Sequence, residues 1–379
     1  MIYLDHAATS RPKPPCVAQA VTEALDGWGN SGRGAHDDAL TAARGIYGLR
    51  CDLADFFGCK RPERVVFTPN STAALNLAIA GLLGPGDHVI ATDWEHNSVL
   101  RPLYRLRQQG GAVDFLPAGP DGHLNYGQLG ALLRPNTKAL VCTHASNVTG
   151  DMVDLPRMAD FARAHGLALI LDASQTAGVF PLHMERMGIH VLCFTGHKSL
   201  LGPQGTGGLC AAEGVDIRPM VVGGSGVQSF SETHPADYPT RLEAGTLNGH
   251  GLAGLAASLQ YIRAEGVDAI RTRELSLARR FYEGVRGLNH VRVYGDWSVS
   301  SRAPIVALNI ADWDAAEVAD QLDRRFSIAV RAGAHCAPRI HRALGTAEQG
   351  IVRFSWGWCT TEADTDAAIR AVETLAREA

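Results

Sequence analysis

No apolar run in the 379-residue sequence approaches the roughly 18 residues that a membrane-spanning helix needs. The longest candidates, such as Leu75 to Leu83, read as core helix. Basic residues are not in excess. The 35 Lys and Arg face 39 Asp and Glu, a net charge of −4, so nothing marks a footprint for nucleic acid or an anionic membrane. The 41 glycines follow no G-X-Y period, which excludes collagen. The eight cysteines form no CxxC pair. The first residues, Met1-Ile2-Tyr3-Leu4-Asp5-His6, lack the charged and apolar regions of a signal peptide. Reduced thiols and a cytoplasmic location are the expectation.

Hydrophobic residues make up 46% and charged residues 20%. That balance argues for a globular chain with a large core and against disorder. At about 150 residues per domain, the length suggests two domains. Residues 65–68, 88–92, 139–143, 167–172 and 191–195 read as strands, and residues 73–83 and 155–165 as helices. Strands that are apolar throughout, alternating with helices, predict a mostly parallel sheet covered on both faces. The last third reads differently. Strands are expected at 305–310, 328–331 and 351–355, and helices at 315–326 and from Thr361, where Asp364 completes a capping box. The expected fold class is therefore α/β, with a large domain over residues 16–250. A smaller α+β domain is expected from residues 1–15 plus 251–379.

In an open α/β sheet, ligands sit beyond the carboxyl ends of the strands. Asp172 ends one apolar strand, where a bland reading makes it a helix cap and a functional one a counter-charge to a protonated ring nitrogen. Lys198 follows another strand. A lysine there is commonly an ion-pair residue, but a desolvated one can form a Schiff base. Together they are the pair that pyridoxal 5'-phosphate (PLP) requires: the carboxylate keeps the pyridine nitrogen protonated and the amine holds the aldehyde. Ser71 and Thr72 open a helix and either cap it or bind a phosphate. Thr195 and His197 flank Lys198 and can add donors. His96 lies past the strand at 88–92, placed to cover a ring. Cys336 sits in a Gly/Ala-rich loop, Arg331 to Pro338, as an incidental thiol or a nucleophile. A zinc site of His335, Cys336 and His341 fails, because adjacent ligands cannot easily share one tetrahedral ion.

These residues resemble the cysteine desulfurases of the class V, fold-type I PLP enzymes. The likeness runs from Tyr3-Leu4-Asp5-His6 to the final helix. It is most specific at Phe194-Thr195-Gly196-His197-Lys198 and Asp172-Ala173-Ser174-Gln175. It continues through Thr143 to Gly150, Glu243-Ala244-Gly245-Thr246-Leu247-Asn248 and Arg331 to Pro338. The resemblance implies that Lys198 carries the cofactor and moves protons, His96 stacks on its ring, and Asp172 and Gln175 bond the ring nitrogen and hydroxyl. Ser71, Thr72, Thr195 and His197 would hold phosphate, with Thr246 reaching the phosphate of a second subunit in a homodimer. Arg353 would clamp the carboxylate of L-cysteine with Asn147 beside it, Asn147 also contacting the cofactor, and His36, in Ser31-Gly32-Arg33-Gly34-Ala35-His36, would lie near the reacting atoms. Cys336 would accept sulfur as a persulfide, releasing alanine, and pass it to a protein acceptor, for instance in iron–sulfur cluster assembly. No metal is required.

The short Cys336 loop resembles the compact-loop branch of the family, some of whose members accept selenocysteine. Asn97 after His96 departs from part of that branch. Selenocysteine lysis is one alternative. Class V transamination of a small amino acid uses the same lysine and aspartate but needs no thiol. A non-catalytic scaffold would have no reason to keep Lys198, Asp172, His96 and Arg353.

Overall fold

Seven strands, buried nearly throughout, form the central sheet: Val65–Thr68, His88–Thr92, Ala112–Leu116, Thr137–Thr143, Ala168–Asp172, Val191–Thr195 and Gly207–Ala211. They come from a computed structural model that describes residues 1–32 and 34–379. Across the sheet the order is 65–68, 207–211, 191–195, 168–172, 137–143, 88–92, 112–116. All pairs are parallel except those of Gly207–Ala211, which runs antiparallel to both neighbours. Helices cover both faces, so the strands are apolar on both sides rather than alternating. Phe57, Leu140, Leu192 and Phe194 belong to the core on one face, and Leu75, Val141, Ile170 and Cys193 to that on the other.

The smaller unit is a four-stranded antiparallel sheet ordered Arg331–Gly333, Ile351–Ser355, Ile305–Ile310, Val291–Tyr294. Helices Val267–Val285, Ala315–Phe326 and Glu362–Glu378 pack on it through Phe281, Val318, Leu322, Val372 and Leu375. The capping box forms as the spacing predicts: Thr361 Oγ1 accepts the Asp364 amide at 3.1 Å, and Asp364 Oδ2 accepts the Thr361 amide at 3.0 Å.

The expected strand at 328–331 is in fact two. Ile328–Ala329 pairs in parallel with Ile2–Tyr3, while Arg331–Gly333 joins the four-stranded sheet. The break at Val330 lets one segment serve two sheets. The helix expected at 73–83 begins earlier, at Ser71, because Asn70 Oδ1 accepts the Ala73 amide at 3.0 Å. As to the domain division read at 250/251, Leu252, Leu255, Leu259 and Ile262 of helix Gly249–Glu265 pack in the large core. The next helix passes from that core at Ile270 to the small one at Leu277.

Gly207 serves the geometry of the sheet end. A Cβ there would stand 2.8 Å from Asn70 Cα, so only glycine lets this strand close against the start of helix Ser71–Leu82. Glu243 locks the same region. Its carboxylate takes the Arg50 guanidinium at 2.5 and 2.8 Å and the Phe67 amide at 2.7 Å, with both side chains buried. Glu243→Ala leaves a buried cation without its partner. A loss of about 3–5 kcal/mol in unfolding free energy is expected, read from a urea titration.

Candidate active site

Five of the sequence segments singled out above converge on one cavity of about 270 Å³ at the carboxyl ends of the parallel strands. Ser71 and Thr72, His96, Asn147, Asp172 with Gln175, and His197 with Lys198 all line it. A larger hollow of about 740 Å³ lies behind Trp94 and Tyr126, but its lining is mainly apolar and holds no lysine. The smaller cavity is the one that gathers the titratable and hydroxyl side chains singled out from the sequence.

Each side chain is placed by the end of a regular element. Lys198 follows Val191–Thr195, and burial drives its ammonium down from 10.5 to about 8. Arg353 and Arg331 push the same way, whereas Asp172 and Asp5 oppose them. Asp172 closes Ala168–Asp172 and is 4% exposed. Its Oδ1 accepts the Ser174 amide at 3.0 Å and the Ser174 hydroxyl at 2.5 Å, which fixes the carboxylate. His96 caps helix Asn97–Gln108, its Nδ1 accepting the Ser98 amide at 3.0 Å. That bond leaves the ring hydrogen on Nε2. Burial, then Lys198, lowers the imidazole to about 4, so the ring is neutral.

A second group of polar atoms surrounds the start of helix Ser71–Leu82. Ser71 and Thr72 open their helix into the cavity, with free amides and the positive end of the macrodipole. Thr72 Oγ1 bonds Ser98 Oγ at 2.8 Å. Thr195 Oγ1 and His197 Nδ1 are buried and find no partner among the described residues. The N-terminal segment braces this corner. Ser10 N and Lys13 Nζ donate to the His197 carbonyl at 3.0 and 2.7 Å, and Gln175 Nε2 donates to the Ala7 carbonyl at 3.2 Å.

Arg353 stands behind Asn147 on strand Ile351–Ser355 of the smaller sheet and is 1% exposed. Its guanidinium donates to the Asn147 carbonyl and to Asp5 Oδ1, each at 2.9 Å. Its Nε and Asn147 Oδ1 are buried without a partner among the described residues. Cys336 is exposed on the four-residue link between Gly333 and helix Pro338–Leu344. Its carbonyl accepts the Asn97 amide at 2.7 Å, beside His96, and the His335 carbonyl accepts Asn147 Nδ2 at 2.8 Å. His335 and Cys336 both have left-handed backbones, φ 47° and 57°. One backbone bond, from Asn97, and one side-chain bond, from Asn147, hold the thiol loop at the cavity rim against that strain.

Of the expected residues, Thr195, Arg353 and Cys336 flank the cavity without lining it, and two lie elsewhere within this chain. His36 is the exposed N-cap of helix Asp37–Phe57, and Thr246 is exposed on a separate hollow of about 260 Å³. That hollow is shared with Asn30, Ser31 and Gly32 of the loop preceding His36. Arg33, quoted in the same segment, lies outside the described residues. Other residues escaped the sequence reading. Asp5 bonds Arg353, a partner 348 positions away that no local pattern reveals. Glu95 is wholly buried, and burial raises it to about 8, so it is protonated at neutral pH. Its Oε1 accepts the Thr92 hydroxyl at 2.5 Å and the Thr143 amide at 3.1 Å, joining two strand ends under the cavity.

A doubly covered, mostly parallel sheet with a lysine and an aspartate beyond neighbouring strand ends, and a buried arginine from the smaller sheet beside them, defines an α/β enzyme of the fold-type I kind. The chain belongs to the class-V aminotransferase family, whose model matches residues 2–368. Its relatives narrow this to the cysteine desulfurases. A probable cysteine desulfurase of Methanothermobacter thermautotrophicus is 32% identical, over 99% of this chain and 94% of that one. A cysteine desulfurase of Serratia proteamaculans is 30% identical, over 89% and 84%. Among solved structures, the apo cysteine desulfurase of Thermococcus onnurineus superposes with a TM-score of 0.93 at 31% identity, covering all of this chain and 95% of that one. The cysteine desulfurase CsdA of Escherichia coli gives 0.89 at 28% identity, covering 100% and 94%. No helix among the described residues is long and apolar enough to cross a membrane.

Proposed function

We propose that this protein converts L-cysteine to L-alanine with PLP and receives the sulfur on Cys336 as a persulfide. The observation that carries the reading is the placement of a desolvated Lys198 in the cavity with the Cys336 loop bonded over its rim, through Asn97 and Asn147. Transamination needs the lysine but not the thiol.

The residues present fit PLP. Buried, unpartnered Thr195 Oγ1 and His197 Nδ1, together with Ser71 and Thr72 at a helix start, suit its phosphate. Asp172 suits a protonated ring nitrogen, His96 a ring face, Gln175 the ring hydroxyl, and Lys198 the aldehyde. When bound, PLP supplies an electron sink that makes loss of the substrate Cα proton feasible. The protein supplies the rest. Lys198, held near 8, removes and returns protons at substrate carbon. Arg353, already oriented by Asp5 and the Asn147 carbonyl, keeps its Nε free for the substrate carboxylate. The Cys336 thiolate attacks the substrate sulfur. An S–S bond forms as the C–S bond breaks, and protonation of Cβ yields alanine.

A second copy of the chain is proposed to complete the site. Thr246 and the loop before His36 share one exposed hollow, and Met220, Val221, Val222 and Phe230 expose apolar surface on the segment between Ile217 and Thr240. A homodimer would cover these and offer Thr246 to the partner's phosphate site, with His36 beside the reacting atoms. The sulfur then passes to a protein acceptor.

Two measurements test this reading. PLP-loaded protein given L-cysteine and dithiothreitol should release alanine and sulfide in equal amounts; amino-group transfer to the cofactor without sulfide would overturn it. Arg353→Ala should cost about 2–3 kcal/mol of substrate binding, roughly 30- to 150-fold in KM with a smaller change in kcat. An unchanged KM would remove Arg353 from the carboxylate site.

A further inference from the structure

The surface around Cys336 is made by two helices that turn arginines to solvent. Helix Asn97–Gln108 starts at the bond between the Asn97 amide and the Cys336 carbonyl. It carries exposed Arg101, Arg105 and Arg107 and no carboxylate. Helix Pro338–Leu344 leaves directly from the cysteine loop and adds exposed Arg342. Aromatic contacts join the two into one surface. Tyr104 meets Phe115 edge-on with ring centroids 6.1 Å apart, and the Arg339 guanidinium lies over Phe115 at 3.8 Å. Arg339 is neutralised by Asp93 at 2.6 Å, whereas Arg101, Arg105, Arg107 and Arg342 form no ion pair among the described residues. The chain as a whole carries −4, so these arginines make a locally positive surface on the two helices that flank the thiol loop, with Arg101 and Arg342 on the turns nearer to it, Arg105 and Arg107 farther along, and the exposed carboxylates Asp121 and Glu348 at its edge.

Two hydrogen bonds, from the Asn97 backbone amide to the Cys336 carbonyl and from the Asn147 side-chain amide to the His335 carbonyl, tie the loop to the cavity rim and leave the thiol at the surface. A sulfur acceptor must therefore come to Cys336, and what it meets there is positive charge.

We propose that this arginine apron docks an acidic protein whose own thiol takes the sulfur from Cys336. The inference rests on the desulfurase reading above. The partner's thiolate attacks the outer sulfur of the Cys336 persulfide. A new S–S bond forms on the partner, the old one breaks, and Cys336 leaves as a thiolate, so one sulfur moves and no oxidant is consumed. Complementary charge speeds the encounter and fixes its orientation.

The test uses the PLP-loaded enzyme, charged with L-cysteine and freed of excess substrate. It is mixed with a short single-cysteine peptide rich in glutamate, or with its lysine-rich counterpart, and persulfide on the peptide is timed by mass spectrometry. The glutamate peptide should react about tenfold faster at low salt, with the gap closing near ~0.5 M salt. The R101E/R107E/R342E variant should reverse the preference while releasing alanine with dithiothreitol at the wild-type rate. If that variant loses alanine release, R101Q/R107Q/R342Q should abolish the preference instead. Equal rates for the two peptides, or a preference indifferent to salt and to these substitutions, would overturn the docking surface. Single-stranded RNA that blocks transfer better than a cysteine-free glutamate peptide would assign the apron to nucleic acid and also overturn it. Absence of alanine from the wild type is a different failure, that of the desulfurase reading itself.

Discussion

Lys198→Ala is expected to abolish covalent capture of PLP and to lower alanine formation on the order of 10⁴-fold or more. Among the described residues there is no substitute amine at the cavity: Lys198 is the one lysine lining it, and Lys13 is committed to Ser10 and the His197 carbonyl at 2.6 and 2.7 Å. The groups proposed to hold the phosphate are untouched by the change, so the variant should still bind PLP reversibly, without the absorbance of the lysine adduct. The pH dependence follows from the same burial. Capture requires the neutral amine, and desolvation lowers the ammonium from 10.5 to about 8. The rate at which apoprotein takes up PLP covalently should therefore rise with pH through about 8 rather than through 10.5. Full activity in the alanine variant would remove Lys198 from the reaction.

Cys336→Ala separates the two halves of the chemistry. Cys336 lies outside the cavity lining and bonds to the fold through its carbonyl, which alanine retains. The variant should load PLP normally and bind L-cysteine, yet form alanine on the order of 10³-fold more slowly, because no thiolate is placed to take the sulfur. Reversible spectral changes on adding L-cysteine would persist without sulfide release. Wild-type turnover by this variant would make Cys336 an incidental loop residue and return the reaction to another nucleophile.

The parallel sheet was legible because its strands are apolar throughout and separated by helical periodicity. Residues 88–92, 191–195, 305–310 and 351–355 take the boundaries that the pattern predicts. Strand-end logic then placed Asp172, His96 and Lys198 on one cavity. What the sequence hid is long-range. The Asp5–Arg353 bond and the Gln175 contact to Ala7 join segments with no local signature. The break at Val330 comes from competition between two sheets, which periodicity along one strand does not register. Glu95 reads as an ordinary acid before a histidine, and only its burial makes it a neutral hydrogen-bonding group. His36 and Thr246 stand on an exposed face of the single chain, because the contacts proposed for them lie between copies.

The central claim is that Cys336 receives the substrate sulfur. PLP-loaded protein should be given L-cysteine without reductant, alkylated, digested and mapped by mass spectrometry. One added sulfur on the peptide containing Cys336, absent from the other seven cysteines and matched by released alanine, is the expected result. An unmodified Cys336 peptide alongside amino-group transfer to the cofactor would contradict the account and leave a class-V aminotransferase in its place.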